Sequence, residues 1–115
     1  MKSLNTKERG GDKLKRFFGG IFIEKEKLQE EGISHPIKLE YYKHINEEIN
    51  EKNKYGITIV KTEYTTEKPK VETKDLKSIT DDESKIDEIL NLFKNNQVTT
   101  IHSEEIIADL IKSGI

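Results

Sequence analysis

The stretch IKLEYYKHI, residues 37–45, alternates apolar and polar side chains with a period of two. This period is typical of a β-strand that has one buried face and one solvated face. The buried face would carry Ile37, Leu39, Tyr41 and Ile45. The opposite face would carry Lys38, Glu40, Tyr42 and His44.

Two later segments also read as strands. Residues 55–64 alternate in the same way, and residues 70–76 alternate more weakly after Pro69. The polar loop between the first two strands is short, which favours antiparallel pairing. Proline cannot donate to a sheet ladder, so the third strand is better placed at an edge. The sequence therefore predicts a small three-stranded, mainly antiparallel sheet.

The C-terminal third changes to a helical period. The run Thr80-Asp81-Asp82-Glu83 fits a capping box at the start of one helix, and Ser103 can cap a second. Asn95-Asn96 and Gly114 lie where the two helices would end, because both residue types tolerate positive φ. The apolar stripes at helical spacing are Ile86, Ile89, Leu90 and Phe93, then Ile106, Ile107, Leu110 and Ile111.

These elements predict one α+β domain over residues 33–115. Its sheet would be followed by a C-terminal helical hairpin that packs on one sheet face. The expected core joins the buried strand face to both helical stripes. Its members are Ile37, Leu39, Tyr41, Ile57, Ile59, Leu76, Ile86, Ile89, Leu90, Phe93, Val98, Ile106, Ile107, Leu110 and Ile111.

Residues 1–32 differ in character from the rest of the chain. The first sixteen residues carry six basic and two acidic side chains. Gly10-Gly11 and Gly19-Gly20 interrupt any helical run, and Gly32 marks a boundary before Ile33. We therefore expect a mobile basic N-terminal arm and linker over residues 1–32 that folding does not require.

Length and composition exclude several classes of protein. A chain of 115 residues allows a single domain, and the absence of cysteine excludes disulfides, thiolate metal sites and a cysteine nucleophile. The longest apolar stretch, residues 17–23, is far shorter than the roughly 20 residues of a transmembrane helix. No small-residue cleavage site follows it, so we expect a cytoplasmic protein. The many Lys, Ile and Asn residues indicate an AT-rich bacterial or phage genome.

No motif in the sequence predicts catalysis. The three histidines, His35, His44 and His102, lack metal-ligand spacing, and there is no phosphate-binding loop or nucleophile elbow. Acidic pairs such as Glu104-Glu105 fall in first helical turns, where the helix dipole favours them. We therefore expect no enzymatic activity, no catalytic residue, no metal and no cofactor.

The function that we expect is a small non-catalytic protein-interaction or regulatory module. If the helices cover one sheet face, the other would present partner-binding residues, which are Tyr42, His44, Val60 and Tyr64. Self-association is also expected, because about 80 ordered residues bury only a thin core.

An alternative from a different class is binding to a nucleic acid or an anionic membrane surface through the arm. Basic side chains release counterions from polyanions, and the neighbouring Phe17 and Phe18 could stack or insert. The polyanion-binding residues would be Lys7, Arg9, Lys13, Lys15 and Arg16.

The order of several short motifs resembles a protein family, over roughly residues 37–111. The motifs are Tyr41-Tyr42, Tyr55-Gly56-Ile57, Phe93-Lys94-Asn95-Asn96, Val98-Thr99 and Ile107-Ala108-Asp109-Leu110-Ile111. The family consists of small proteins from clostridia and related bacteria, and it is named only as a domain of unknown function. The resemblance implies a host and a fold pattern, and it implies no catalytic residue.

Overall fold

The structure of the chain, a computed structural model, describes residues 13–46 and 54–114. Strands come first along the chain, and the two longer helices follow. The elements are β1 (Lys13–Ile23), α1 (Lys25–Leu28), a 3-10 turn (Gln29–Glu31), β2 (Ile37–Asn46), β3 (Tyr55–Glu63), β4 (Lys70–Thr80), α2 (Glu83–Asn95) and α3 (Ser103–Lys112).

The four strands form one antiparallel sheet in the order β1-β2-β3-β4, so each strand pairs with its neighbour along the chain. The predicted α+β class and antiparallel sheet are confirmed. The predicted number of three strands is wrong, because β1 adds a fourth strand beside β2. β4 also continues beyond the predicted end at Leu76 and reaches Thr80.

β1 lies within the segment that the sequence assigned to a mobile basic arm. That assignment is wrong for residues 13–23, which pair with β2 along its length. A β-bulge between Phe17 and Gly19 shifts the register by one residue. One extra residue moves every later side chain to the other face, so the period-two pattern is broken in the sequence. Residues 1–12 of the predicted arm lie outside the described residues.

The hydrophobic core lies between the sheet and α2, which contacts all four strands. The predicted core is confirmed on the strands and α2, together with Val98 and Ile107. The prediction is wrong for Ile111, which lies next to the C-terminal end of α3 and is 55% exposed. Additional buried side chains are Ile23, Leu28 and Ile45, and those only partly buried include Ile106 and Leu110.

The N-terminus of α2 differs from the predicted capping box. Asp82 is the N-cap, and its carboxylate accepts hydrogen bonds from the backbone amides of Ser84 at 3.0 Å and Lys85 at 3.4 Å. Thr80 instead accepts a bond from the Asp82 amide at 3.1 Å. The side chain of Asp82 satisfies amides that have no partner within the helix, which fixes where α2 begins.

The packing of the two C-terminal helices against each other as a hairpin is not confirmed. α3 attaches through Ile107, which is buried in the core, and through an ion pair of 2.9 Å between Glu104 and Lys74 of β4. In the described residues, no helix is both long and apolar enough to cross a membrane.

Candidate functional site

The sheet has one face that packs against α2 and a second that points away from it, which we call the outer face. Tyr41 and Ile59 are opposite each other on β2 and β3, and both are buried in the core. Because side chains alternate along a strand, their chain neighbours lie on the outer face. Its described residues are Lys15, Phe17 and Phe22 on β1, Lys38, Glu40, Tyr42 and His44 on β2, Thr58, Val60 and Thr62 on β3, and Val71, Thr73 and Asp75 on β4.

Two pairs of aromatic rings lie along the β1 side of the outer face. Phe17 packs edge-on against Tyr42, with ring centroids 5.5 Å apart, and Phe22 lies 6.1 Å from Tyr64, just past the end of β3. Phe17 is 60% exposed and Phe22 is 56% exposed. Each phenylalanine is therefore held by a tyrosine on one side while most of its ring remains accessible.

A polar cluster lies near the middle of the outer face. Thr58 donates a 2.6 Å hydrogen bond to the carboxylate of Asp75, and the ammonium of Lys15 lies 3.4 Å from the same carboxylate oxygen. Burial alone would raise the pKa of Asp75. The bond from Thr58 and the nearby charges of Lys15 and His44 outweigh burial, so the pKa of Asp75 lies below its ordinary value. This cluster fixes β1, β3 and β4 relative to one another.

The charges that the described residues place on the outer face are balanced. Lys15 pairs with Asp75, and Lys38 lies 3.8 Å from the carboxylate of Glu40. Because each of these ammonium groups lies within 4 Å of a carboxylate, the two charges largely cancel, and a binding partner meets little net charge. The face is therefore mainly aromatic and β-branched, with no single sign of charge.

The predicted partner-binding residues share the outer face but differ in accessibility. Tyr42, Val60 and Tyr64 are partly buried and reach its surface. His44 is only 1% exposed and contributes electrostatically to Asp75. That burial removes His44 from the surface that a partner could contact.

The predicted polyanion-binding residues do not form one stripe within the described chain. Lys15 is on the outer face, whereas the next residue, Arg16, points to the α2 side, near Glu83. Lys13 begins β1, and Lys7 and Arg9 lie outside the described residues. Alternation along β1 therefore separates the two neighbouring cations.

Sequence reasoning missed the most exposed apolar side chains of the outer face. Phe17 and Phe22 were assigned to the arm, and Val71 was placed in a strand of weak pattern. The signal that could have found Phe22 is the run Ile21-Phe22-Ile23, because β-branched and aromatic residues are enriched in strands. The bulge hides the connection of this run to the residues before it.

A second candidate is a cleft of about 530 Å³ between one end of the sheet and the connector from α2 to α3. Seven of its twelve lining residues are apolar, and the polar ones are Lys61, Asn96, Gln97, Thr99 and His102. The ammonium of Lys61 lies 3.0 Å from Glu63, and His35 lies 2.9 Å from the same carboxylate. Hydrogen bonds from Lys61 and His35 hold the pKa of Glu63 below its usual value. The volume of the cleft suits a small ligand. However, the ammonium of Lys61 is already paired with Glu63 and offers little charge to such a ligand.

Metal binding has no support in residues 13–46 and 54–114. No group of three or more His, Asp or Glu side chains among them could hold a metal ion. The groups of the Lys15, Thr58 and Asp75 network on the outer face are paired with one another.

Comparison with known proteins gives one result. A model described as a family of unknown function, DUF6514, matches residues 20–113. No curated protein and no solved structure matches the chain. The family match begins earlier in the chain than the resemblance over residues 37–111. It also includes the end of β1 and all of α1.

Proposed function

We propose that this chain, which belongs to the family of unknown function DUF6514, is a small non-catalytic protein-interaction module. Its outer face would bind a protein partner through aromatic side chains. The observation that supports this most directly is the accessibility of Phe17 and Phe22, each more than half exposed on a sheet face.

Exposed aromatic rings on a sheet are efficient anchors. A ring buries a large apolar area on binding and has only two side-chain torsions to order. Phe17 and Phe22 are already restricted by their contacts with Tyr42 and Tyr64. Little conformational entropy is then lost on association, which favours affinity.

The chemistry of the outer face indicates the chemistry of the partner. Lys15 and Lys38 are each paired with a carboxylate, so the face offers little net charge to a polyanion. A protein surface with exposed aliphatic or aromatic side chains would complement it best. We therefore expect a contact with an apolar centre and a polar rim, with weak dependence on salt.

The test compares the wild-type chain with the Phe17→Ser/Phe22→Ser double variant in partner capture from an extract of the native host. The double variant should lose the partner, because both anchors are removed while the core is untouched. Ile111→Ser is a matched control, since Ile111 is comparably exposed but lies on α3. Thermal unfolding of each variant would verify that the fold is kept. A double variant that captures the same partner as wild type would contradict the proposal.

Polyanion binding through the basic N-terminal residues is the alternative hypothesis. Binding to nucleic acid weakens steeply as salt increases, because the protein displaces condensed counterions. A titration of the chain into a single-stranded oligonucleotide, and separately into anionic vesicles, at two salt concentrations would test it. Tight binding of either polyanion that weakens steeply with salt would favour the alternative over the outer face.

Two further expectations accompany the proposal. Cytoplasmic location and a clostridial distribution of the family both stay predictions. Fractionation of host cells with an antibody against the chain would test the first, and a survey of genomes that encode the family would test the second.

A further inference from the structure

β4 is an edge strand of the sheet, and its unpaired edge is regular. From Lys70 to Leu76 it pairs with β3 without a break, and the irregularity of the ladder comes after Leu76. Within the described residues, β4 has a strand partner on one side only. A regular, free strand edge presents unpaired backbone groups that can accept another strand.

Two oppositely charged side chains flank the centre of this edge. Glu72 is opposite Lys61 of β3, and Lys74 is opposite Ile59, so both lie on the α2 side of the sheet. The side chain of Glu72 is 57% exposed and that of Lys74 is 36% exposed. Thr73 separates them and points to the outer face.

We propose that two copies of the chain pair antiparallel across their β4 edges, with the two-fold axis at Thr73. The two-fold axis is perpendicular to the sheet. Residues that are opposite each other in the two copies therefore lie on the same face of the sheet. In this register Glu72 of each copy faces Lys74 of the other, which gives two complementary pairs. The opposed residues are Lys70 with Leu76, Val71 with Asp75, Glu72 with Lys74, and Thr73 with its own copy.

The charges select this register over its neighbours. With the axis at Glu72, the Glu72 side chains of the two copies would be opposite each other. With the axis at Lys74, the two Lys74 side chains would be opposite each other. Like charges that face each other across a strand pair are destabilising, whereas opposite charges and paired threonines stabilise. The register at Thr73 is also the one that uses the whole regular edge from Lys70 to Leu76.

The other edge of the sheet is less suited to a second copy. The bulge between Phe17 and Gly19 interrupts the ladder of β1. Its described charged side chains, Lys15 and Arg16, are both positive, so two β1 edges could not form complementary charge pairs with each other. Bulges and basic residues are common means of protecting an edge strand from pairing.

The dimer would have one continuous sheet of eight strands. Because the axis is perpendicular to the sheet, both outer faces lie on the same side. The two pairs of exposed phenylalanines would then belong to one extended surface. The dimer does not rest on the proposed function, since its contacts are all on β4.

Each charged residue also has a contact within its own chain that the experiment must separate. Lys74 lies 2.9 Å from Glu104 of α3, and Glu72 lies 3.9 Å from Lys61. Glu104→Gln removes the partner of Lys74 inside the chain and leaves the β4 edge unchanged. It is the matched control for the charge reversals.

The test is sedimentation equilibrium of the full chain with Glu72→Lys and Lys74→Glu, each alone and then mixed. In a homodimer of either variant, positions 72 and 74 carry like charges in both opposed pairs. The dimer dissociation constant should therefore rise by about tenfold or more. The equimolar mixture should form a heterodimer, because both opposed pairs are again complementary. Glu104→Gln should dimerise like wild type.

Three results would overturn the proposal. One is a wild-type chain that stays monomeric up to about 100 μM, where a weak specific dimer should be populated. Another is a dimer that both charge reversals leave unchanged. The third is two monomeric variants that fail to associate when mixed, although circular dichroism shows each to be folded. None of these results depends on capture of a partner by the outer face.

Discussion

The hydroxyl of Tyr41 donates a 2.7 Å hydrogen bond to the carbonyl oxygen of Val98, and both groups are buried. Tyr41 is at the centre of β2, and Val98 lies in the connector after α2. Burial raises the pKa of the Tyr41 hydroxyl, which keeps its proton throughout the physiological range. One bond thus fixes the connector between the helices to the middle of the sheet.

Replacement of Tyr41 by Phe should lower the free energy of unfolding by about 1–2 kcal/mol. The ring would still fill the core, but the Val98 carbonyl would lose its buried donor. Urea unfolding, followed by circular dichroism, would measure the change. An unchanged midpoint would show that another group satisfies this carbonyl.

Replacement of Asp82 by Ala should cost about 1 kcal/mol of stability, since Asp82 caps two amides of α2. Thr80→Val should cost less, because Thr80 accepts a single exposed bond. The same urea titrations would rank the two variants. The reverse order would instead support the capping box that the sequence predicted.

Acid should weaken the fold partly through Asp75. A carboxyl with a lowered pKa in the folded state stabilises the fold above its unfolded pKa, near 3.8 for Asp. That contribution is lost as the pH falls through the lower, folded pKa. Asp75→Asn should therefore be less stable than wild type at pH 7, and the difference should shrink as the pH falls below 3.8. Unfolding at a series of pH values would test this, with Glu88→Gln on the exposed side of α2 as the control.

Replacement of Gly56 by Ala should destabilise the fold by about 1–3 kcal/mol, the usual range for an overpacked site. A Cβ at Gly56 would overlap the carbonyl oxygen of Leu76 and lie 3.0 Å from the Cα of Lys77. Both obstacles are backbone and cannot move aside easily. Gly19→Ala is the control, because the three heavy atoms nearest to its Cβ would all belong to the flexible side chain of Lys94. Equal melting temperatures for the two variants would refute this account of Gly56.

A chain that begins at Ile33 should no longer unfold cooperatively, contrary to the expectation from sequence. It would lose β1 as well as the buried side chains Ile23 and Leu28, each of which contributes roughly 1.5–3 kcal/mol. Domains of this size have only about 5–15 kcal/mol of total stability. Calorimetry of the shortened chain would test this prediction. A sharp transition near that of the full chain would support the domain boundary near Ile33 that the sequence predicts.

Periodicity predicted most of the fold wherever it was unbroken. β2, β3 and α2 have uninterrupted patterns, and their observed bounds agree with the expected ones within a few residues. β1 was missed because the bulge after Phe17 changes the face of the later residues. A pattern of period two cannot show an inserted residue unless the partner strand is known.

The candidate site was predictable only in part, for the same reason. Alternation correctly set Tyr42 and Val60 on the face away from the helices. It could not give the burial of His44, which depends on how neighbouring side chains fill the space around it. The accessible rings of Phe17 and Phe22 follow from the position of β1, which sequence alone did not supply.

The neighbour-to-neighbour order of the strands has a consequence for the folding reaction. Every ladder joins segments that are adjacent in sequence, so no pairing must wait for the closure of a long loop. Folding is fast when native contacts are local. The sheet can thus grow from any one hairpin by successive addition of the next strand, and the collapse of α2 onto it completes the core.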